Sequence, residues 1–148
     1  MMRAFTIPFI AVNIYFFALT LTTCQAESCD SDGEIQICAQ FKGSCGLDDI
    51  ISGQAKEPEM DMIFVSIRNG SYHTVRIDPN LFCGISEKGT KVALDKSLYE
   101  SIEWKRKLGP TQLDSNGKVE GFLFFPSTEG HIKILEYGGN PHLKVSLY

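Results

Sequence analysis

Basic charge is scarce in this chain. Its 148 residues include 14 Lys and Arg against 18 Asp and Glu, a formal net charge of −4 at pH 7. The basic residues form no patch along the sequence. A protein that binds nucleic acid or an anionic membrane surface needs such a patch to neutralise phosphates. The composition therefore argues against both kinds of partner.

Motifs of catalysis and metal binding are also missing. The sequence has no Gly-x-Ser-x-Gly nucleophile motif and none of the short paired Cys or His spacings of metal sites. Its three histidines, His73, His131 and His142, lie far apart and are flanked by no such motif. Surface or turn positions are expected for them. We therefore predict no catalytic residue, no cofactor and no metal site.

Charged residues are nearly absent from the first 26 residues, where Arg3 is the only one. An apolar stretch follows Arg3, and small residues end it at Ala26. These are the features of a secretory signal. We predict a signal peptide over residues 1–26 and an exported protein, either secreted or periplasmic. The mature chain then has thirteen basic and eighteen acidic residues, a net charge of −5, and a length sufficient for one domain.

Two alternatives to simple cleavage stay open. The apolar run approaches the length of a membrane-spanning helix, about 20 residues, and would then act as an uncleaved anchor. Leu21-Thr22-Thr23-Cys24 resembles a bacterial lipobox, in which Cys24 would be acylated and become the first residue. Thr23 departs from that pattern, which has Gly, Ala or Ser at its position. Membrane contact is expected only through such an anchor.

Four cysteines follow the signal: Cys29, Cys38, Cys45 and Cys83. An even number in an exported domain indicates two disulfides, for which three pairings exist. A zinc site is disfavoured, because the eight, six and thirty-seven residues between the cysteines lack a paired short spacing. We predict two disulfides, each stabilising the fold by about 2–4 kcal/mol.

Apolar and polar residues alternate along most of the mature chain, which is the pattern of half-buried strands. Residues 27–33 are polar and are predicted as a leader, and residues 34–148 are predicted as one domain. Residues 62–67 and 75–77, with Asn69-Gly70 between them, predict a hairpin. Seven to nine short strands separated by turn residues predict an all-β antiparallel β-sandwich.

Residues 97–107 fit two structures. Ser97 and Glu100 match a helix capping box, whereas alternate residues from Leu98 to Trp104 share one face of a strand. A short helix or a further strand is therefore expected there.

Four segments of the chain resemble a known family. They are MIFVSIRNGS, TVRIDPNLF, LDSNGKVEGFLFFP and the terminal LKVSL. Together they resemble the telokin-like, immunoglobulin-like domains of exported bacterial proteins, over about residues 60–148. The resemblance implies an immunoglobulin-like sandwich and an exported location. It implies no activity and no catalytic residue.

Three weak patterns suggest ligands, and a structural role is favoured for each. Asp30-Ser31-Asp32-Gly33-Glu34 begins like a calcium loop but lacks the later ligands, which favours a solvated leader. Met60, Met62 and His73 are residue types that suit copper, but the methionines alternate with core residues. Asn69-Gly70-Ser71 is a glycosylation sequon that would lie on an accessible hairpin turn.

Aromatic residues are the best candidates for contact with a partner. Phe122, Phe124 and Phe125 lie in one predicted strand, and Trp104 precedes it. Neighbouring residues of a strand point to opposite faces, so Phe125 points away from Phe122 and Phe124. We name Phe125 and Trp104 as the exposed contact residues and expect core packing for the inward rings.

The preferred function is an accessory domain without enzymatic activity that acts by protein–protein contact in the cell envelope or outside the cell. The alternative is a small secreted enzyme or peptidase inhibitor on the same scaffold. An enzyme would need one of the histidines to converge with a carboxylate and a Ser or Cys. An inhibitor would need a rigid exposed loop, for which residues 138–142 are the candidate.

The intact mass of the exported protein tests the N-terminal prediction. Cleavage after Ala26 gives the mass of residues 27–148. An acylated chain that begins at Cys24 would contradict it and establish a lipid anchor. Alkylation with and without reduction counts the disulfides in the same experiment.

Overall fold

The computed structural model describes residues 27–46 and 59–148, and the predicted signal at 1–26, with Cys24, lies outside them. Ten strands form in the described ranges. They are β1 (Ser28–Ser31), β2 (Ile35–Gly46), β3 (Glu59–Asn69), β4 (Val75–Ile77), β5 (Phe82–Ser86), β6 (Lys91–Ala93), β7 (Thr111–Leu113), β8 (Lys118–Pro126), β9 (Ile132–Tyr137) and β10 (Leu143–Ser146). A 3₁₀ turn spans Pro79–Leu81, and the helix α1 spans Lys96–Ser101. No helix in these ranges has the length and apolar character needed to cross a membrane.

The strands form two four-stranded sheets and one two-stranded pair, all antiparallel. The first sheet has the order β1-β2-β3-β8, the second has the order β10-β9-β5-β6, and β4 pairs with β7. Inward-pointing side chains of both sheets form one core, which includes Ile37, Ile63, Val65, Leu123, Phe82, Leu135 and Val145. The fold is therefore the predicted immunoglobulin-like β-sandwich, with one strand more than the expected maximum of nine.

The predicted polar leader contains a strand. Residues 28–31 form β1, which pairs with β2 so that Cys29 lies opposite Cys38. These two cysteines form a disulfide across the strands, with a Cα–Cα distance of 4.0 Å. The leader prediction failed because an edge strand needs no apolar face of its own when a neighbouring strand and a covalent bond hold it in place.

The second predicted disulfide does not form between Cys45 and Cys83, because Cys83 has a free thiol. Cys45 packs against the core from β2. Cys83 lies on β5 between the inward-pointing Phe82 and Gly84, so its side chain points away from the core. A disulfide requires Cβ vectors that point towards each other, which this placement on opposite sides of the second sheet prevents.

The hairpin predicted at Asn69-Gly70 is wrong: β3 pairs with β2 and β8, and β4 pairs with β7. Asn69 is fully buried. Its Nδ2 donates to the carbonyls of His73, Leu113 and Asp114 at 2.6, 2.9 and 3.2 Å. Its Oδ1 accepts from the N–H and the hydroxyl of Ser71 at 3.0 and 2.7 Å. This Asn69 clamp turns the chain out of the first sheet and holds loop 70–74 against the turn before β8.

The helical alternative for residues 97–107 is confirmed by α1, and the strand alternative is wrong. The buried Tyr99 hydroxyl donates to the carbonyls of Leu108 and Phe122 at 2.7 and 3.0 Å. Beyond the helix, Leu108 N–H donates to the Phe122 carbonyl, and Phe122 N–H donates to the Arg106 carbonyl. The segment after α1 therefore covers the edge of β8 and brings residues 104–107 beside the first sheet.

The Asn69 clamp generates a stability prediction. Asn69→Ala removes all five hydrogen bonds of this buried side chain, including the one to the Leu113 carbonyl, so we expect a loss of about 3 kcal/mol in the free energy of unfolding. Urea unfolding of the mature protein measures it. Asn80→Ala is the matched control, because Asn80 is exposed and its amide donates only to Asp78. A loss at Asn69 no larger than the control's would contradict the clamp.

Candidate functional site

The first sheet has a side that faces away from the core, which we call the outer face. Its side chains form three rows across β2, β3 and β8: Gln36, Arg68 and Lys118; then Cys38, Ser66 and Glu120; then Gln40, Phe64 and Phe122. Alternate residues of a strand share one face, so successive rows lie about 7 Å apart. The Cys29–Cys38 disulfide lies at the β1 end of the middle row.

The third row is aromatic and lies beneath cations. The Phe64 and Phe122 rings are 5.3 Å apart in an edge-to-face arrangement. The Arg106 guanidinium lies 5.7 and 5.5 Å from these two ring centroids, and Lys42 Nζ lies 6.0 Å from that of Phe64. Trp104 adds a ring 6.3 Å from Phe122. Cation–π contacts thus combine apolar surface with positive charge at this end of the outer face.

Two adjoining grooves lie on the outer face. One has a volume of about 470 Å³ and extends over the first two rows, and the other, of about 210 Å³, lies at the aromatic row. Phe64 and Glu27 line both of them. The cationic lining residues are Lys42, Arg68, Arg106 and Lys118, and the acidic ones are Glu27 and Glu120. The outer face is thus cationic on a chain of net charge −4.

The two predicted contact residues differ in placement. Trp104 is 36% exposed and lies at the margin of the outer face, against Phe122 and Phe124. Phe125 is 0% exposed, so its assignment as a contact residue is wrong. Phe125 has the same orientation in β8 as Leu123, whose side chain also lies in the core.

A Ser–His–Asp cluster lies elsewhere, between the two sheets. Asp61 on β3 is fully buried, and its Oδ2 accepts from the N–H of Ile132 at 2.7 Å. Asp61 Oδ1 accepts from Ser44 Oγ at 2.8 Å and lies 3.0 Å from His131 Nδ1. A carboxylate only accepts hydrogen bonds, so Nδ1 is the protonated nitrogen. The hydrogen bond to Asp61, followed by its charge, raises the pKa of His131.

This cluster lacks the geometry of a nucleophilic triad. A serine nucleophile donates its proton to the imidazole nitrogen that acts as base, and the carboxylate binds the other nitrogen. Here the Ser44 hydroxyl donates to Asp61 and lies 3.4 Å from the same His131 Nδ1 that faces the carboxylate. The cluster therefore satisfies the hydrogen-bonding groups of the buried Asp61 carboxylate where the two sheets meet.

A second cluster surrounds Glu136 on the outer side of the second sheet. The Glu136 side chain is 3% exposed. Its carboxylate lies 2.8 Å from Lys91 Nζ, 3.2 Å from Lys144 Nζ and 2.7 Å from His142 Nε2. The Cys83 thiol donates to it at 3.4 Å. Hydrogen bonds from Lys91 and then Lys144 lower the pKa of Glu136 to about 2.

The Glu136 cluster is unsuited to cysteine chemistry. A reactive cysteine needs a neighbouring cation or base that favours the thiolate. Burial, followed by the hydrogen bond to Glu136, raises the pKa of Cys83. The carboxylate also stands between Cys83 and His142, which places the histidine away from the thiol. The ammonium groups of Lys91 and Lys144 take the positions around the carboxylate that a metal ion would need.

The weaker sequence patterns are structural. The Asp32 carboxylate accepts from the N–H groups of Glu34 and Ile35 and so closes the turn between β1 and β2. Met60 is buried in the core near the start of β3, whereas His73 lies in the loop beyond its end. Within ranges 27–46 and 59–148, no three His, Cys, Asp or Glu side chains converge as metal ligands.

The inhibitor candidate, loop 138–142, joins β9 to β10. Its first residue is held by the Gly138 N–H, which donates to the Leu81 carbonyl at 2.8 Å. Its last residue, His142, is held by Glu136. The loop therefore spans two fixed points, and its histidine is engaged within the domain.

Three residues of the outer face were not predicted from the sequence as contact residues: Phe64, Arg68 and Arg106. The alternation of Phe64, Ser66 and Arg68 against the apolar residues between them marks one side of β3. That signal identifies Phe64 and Arg68 as a pair on one face. Arg106 has no comparable signal, because its position depends on how the segment after α1 returns to β8.

The chain matches no protein-family model and no curated protein sequence. Two solved structures are similar. The yjhA protein from Bacillus subtilis has a TM-score of 0.53 and 17% identity, over 74% of this chain and 76% of its own. The secreted protein MPT63 from Mycobacterium tuberculosis has a TM-score of 0.54 and 11% identity, over 80% and 88%. These identities show the fold alone, and the telokin-like assignment stays a prediction.

The Glu136 cluster generates a pH prediction. The folded-state pKa lies near 2, below the ordinary 4.5. The stability that this carboxylate contributes is therefore fully present above about pH 4.5 and is lost as the pH falls towards 2. We expect Glu136→Gln to lower the urea midpoint at pH 7 and the difference from wild type to narrow between pH 5 and pH 3. Glu129→Gln, at an exposed pair with Lys88, is the control. A difference that is constant with pH would contradict the prediction.

Proposed function

We propose that the protein is an exported binding domain without enzymatic activity, which acts by protein–protein contact through its outer face. One observation carries the proposal: this face combines half-buried aromatic rings, cations that lie over those rings, and two grooves on paired strands. Aromatic and Arg side chains are enriched among the residues that dominate binding energy at protein interfaces. Their convergence at the aromatic row favours a partner surface.

Export is supported by two features of the chain. The first 26 residues have the features of a secretory signal. The Cys29–Cys38 disulfide is of a kind that persists in oxidising compartments and is rare where thiols are kept reduced. MPT63, which shares the fold, is itself a secreted protein.

The proposal against enzymatic activity rests on the direction of hydrogen bonds in the two histidine clusters. Both contain the residue types of a nucleophilic site. In both, however, the carboxylate accepts a hydrogen bond directly from the side chain that would act as nucleophile, Ser44 in one and Cys83 in the other. A hydroxyl or thiol held in this way is not activated by the imidazole.

Photocrosslinking tests the proposed function. The mature protein carries p-benzoylphenylalanine in place of Gln36, an exposed residue of the outer face, and is incubated with envelope extract and culture medium. We expect a discrete crosslinked partner, which Trp104→Ala reduces several-fold because it removes a contact ring from the margin of the face. Circular dichroism confirms that the variant stays folded.

The matched control places the crosslinker at Gln112, an exposed glutamine on β7. The proposal requires the partner to be captured from position 36 and not from position 112. Equal capture from both positions, or capture that is unchanged by Trp104→Ala, would reject the outer face as the binding surface.

A further inference from the structure

We infer that the outer face recognises an extended, acidic segment of its protein partner, laid along the strands of the first sheet. The inference rests on the proposed function and specifies the chemistry of the partner. It is carried by cations that form no ion pair among the described residues, by the spacing of those cations along β3, and by the aromatic row beneath Arg106 and Lys42.

The charge on the outer face is neutralised only in part: the hydrogen bond and charge of Lys118, and to a smaller extent the charge of Arg106, lower the pKa of Glu120. Lys118 forms an ion pair with Glu120. Arg68, Arg106 and Lys42 have no ion-pair partner among the described residues. The second sheet differs, because Glu136 there pairs with Lys91, Lys144 and His142. Four cations against two carboxylates line the two grooves, and this excess of positive charge attracts carboxylates from outside the domain.

The stacking of Arg106 keeps it available to a carboxylate. Its guanidinium lies over the rings of Phe64 and Phe122. A guanidinium group is planar, so it can stack on a ring through its flat face. Its N–H groups point outward in its own plane and can still donate hydrogen bonds, often to both oxygens of a carboxylate. The rings thus hold Arg106 in place and reduce the entropy lost when a ligand binds.

The cations are spaced for an extended chain. Arg68 and Phe64, which lies beneath Arg106 and Lys42, are four residues apart on β3, about 13 Å along the strand. An extended peptide has the same repeat, so its residues i and i+4 reach the two ends of the face. Residue i+2 then lies over the row of Cys38, Ser66 and Glu120, where a small uncharged side chain avoids repulsion by the Glu120 carboxylate.

A peptide fits this surface better than a uniform polyanion does. Glu27 and Glu120 also line the grooves and repel an evenly charged chain. The aromatic row offers apolar contact, which phosphate or sulfate groups do not use. A peptide alternates its side chains and places carboxylates only where the cations lie.

Intrinsic fluorescence provides a direct readout, because Trp104 is the only tryptophan of the chain and lies at the margin of the outer face. The mature protein is titrated with three tryptophan-free nonapeptides. One has Asp or Glu at residues i and i+4 and a small residue at i+2. The second has Asn or Gln in place of the acids. The third has the same composition as the first, with its acids moved off these positions.

We expect the first peptide to bind roughly four- to ninefold more tightly than its amide counterpart, since it carries two acids and each exposed ion pair contributes roughly two- to threefold. The displaced-acid peptide falls between them. Arg68→Gln combined with Arg106→Gln removes the preference for acid. Arg76→Gln, at an exposed arginine on β4 that makes no ion pair among the described residues, leaves it unchanged.

Each other outcome overturns the inference. Equal binding of acidic and amide peptides rejects charge recognition, and equal binding of the displaced-acid peptide rejects the strand-aligned mode. Polyphosphate that competes as strongly as the peptide assigns the face to polyanions. Absence of peptide binding, together with crosslinking from position 36, rejects the acidic segment and leaves the proposed function standing. Absence of both rejects the two together.

Discussion

The buried carboxylate of Asp61 joins the two sheets of the sandwich. It lies on β3, accepts from Ser44 on β2, and reaches across to the N–H of Ile132 at the start of β9. An isolated carboxylate in the interior is costly, and three hydrogen-bonding partners offset that cost. The position of β9 relative to the first sheet, and with it the second sheet, depends on this contact. His131 lies beside Asp61 as one of the partners that make burial of this carboxylate possible.

The outer sides of the two sheets handle charge in opposite ways. Around Glu136, one carboxylate binds the ammonium groups of Lys91 on β6 and Lys144 on β10, so their charge is not available to a ligand. On the first sheet, Arg68, Arg106 and Lys42 form no ion pair among the described residues, and aromatic rings pack against Arg106 and Lys42. The sandwich thus satisfies its polar groups internally on one side and exposes them on the other, which is the physical basis for assigning binding to the first sheet.

Alternation in the sequence predicted the sandwich and the strands β2, β8 and β10, because each has one face against the core. Prediction from the sequence failed where the same residues are typical of two different structures. Asn69-Gly70 is turn chemistry in a hairpin and also in a clamp that leaves the sheet. In β5 the inward position of residue 84 is a glycine, because a Cβ there would lie 2.6 Å from the Ile132 side chain. Without an apolar side chain at this position, the sequence does not show which residues of β5 face the core. The pair His142–Glu136 spans six residues of one hairpin and could have been found, whereas His131–Asp61 spans seventy and depends on the tertiary fold.

The Asn69 clamp also changes the meaning of the sequon to which it belongs. Glycosyl transfer attaches a sugar to the Nδ2 of the acceptor asparagine, and in the folded domain that nitrogen is buried and donates to three carbonyls. Only a chain that has not yet folded can present it to the transferase. A chain modified at that stage would carry a bulky polar group where the domain needs a buried donor. For production in a eukaryotic secretory host, occupancy of this site would therefore mark molecules that cannot reach the native state.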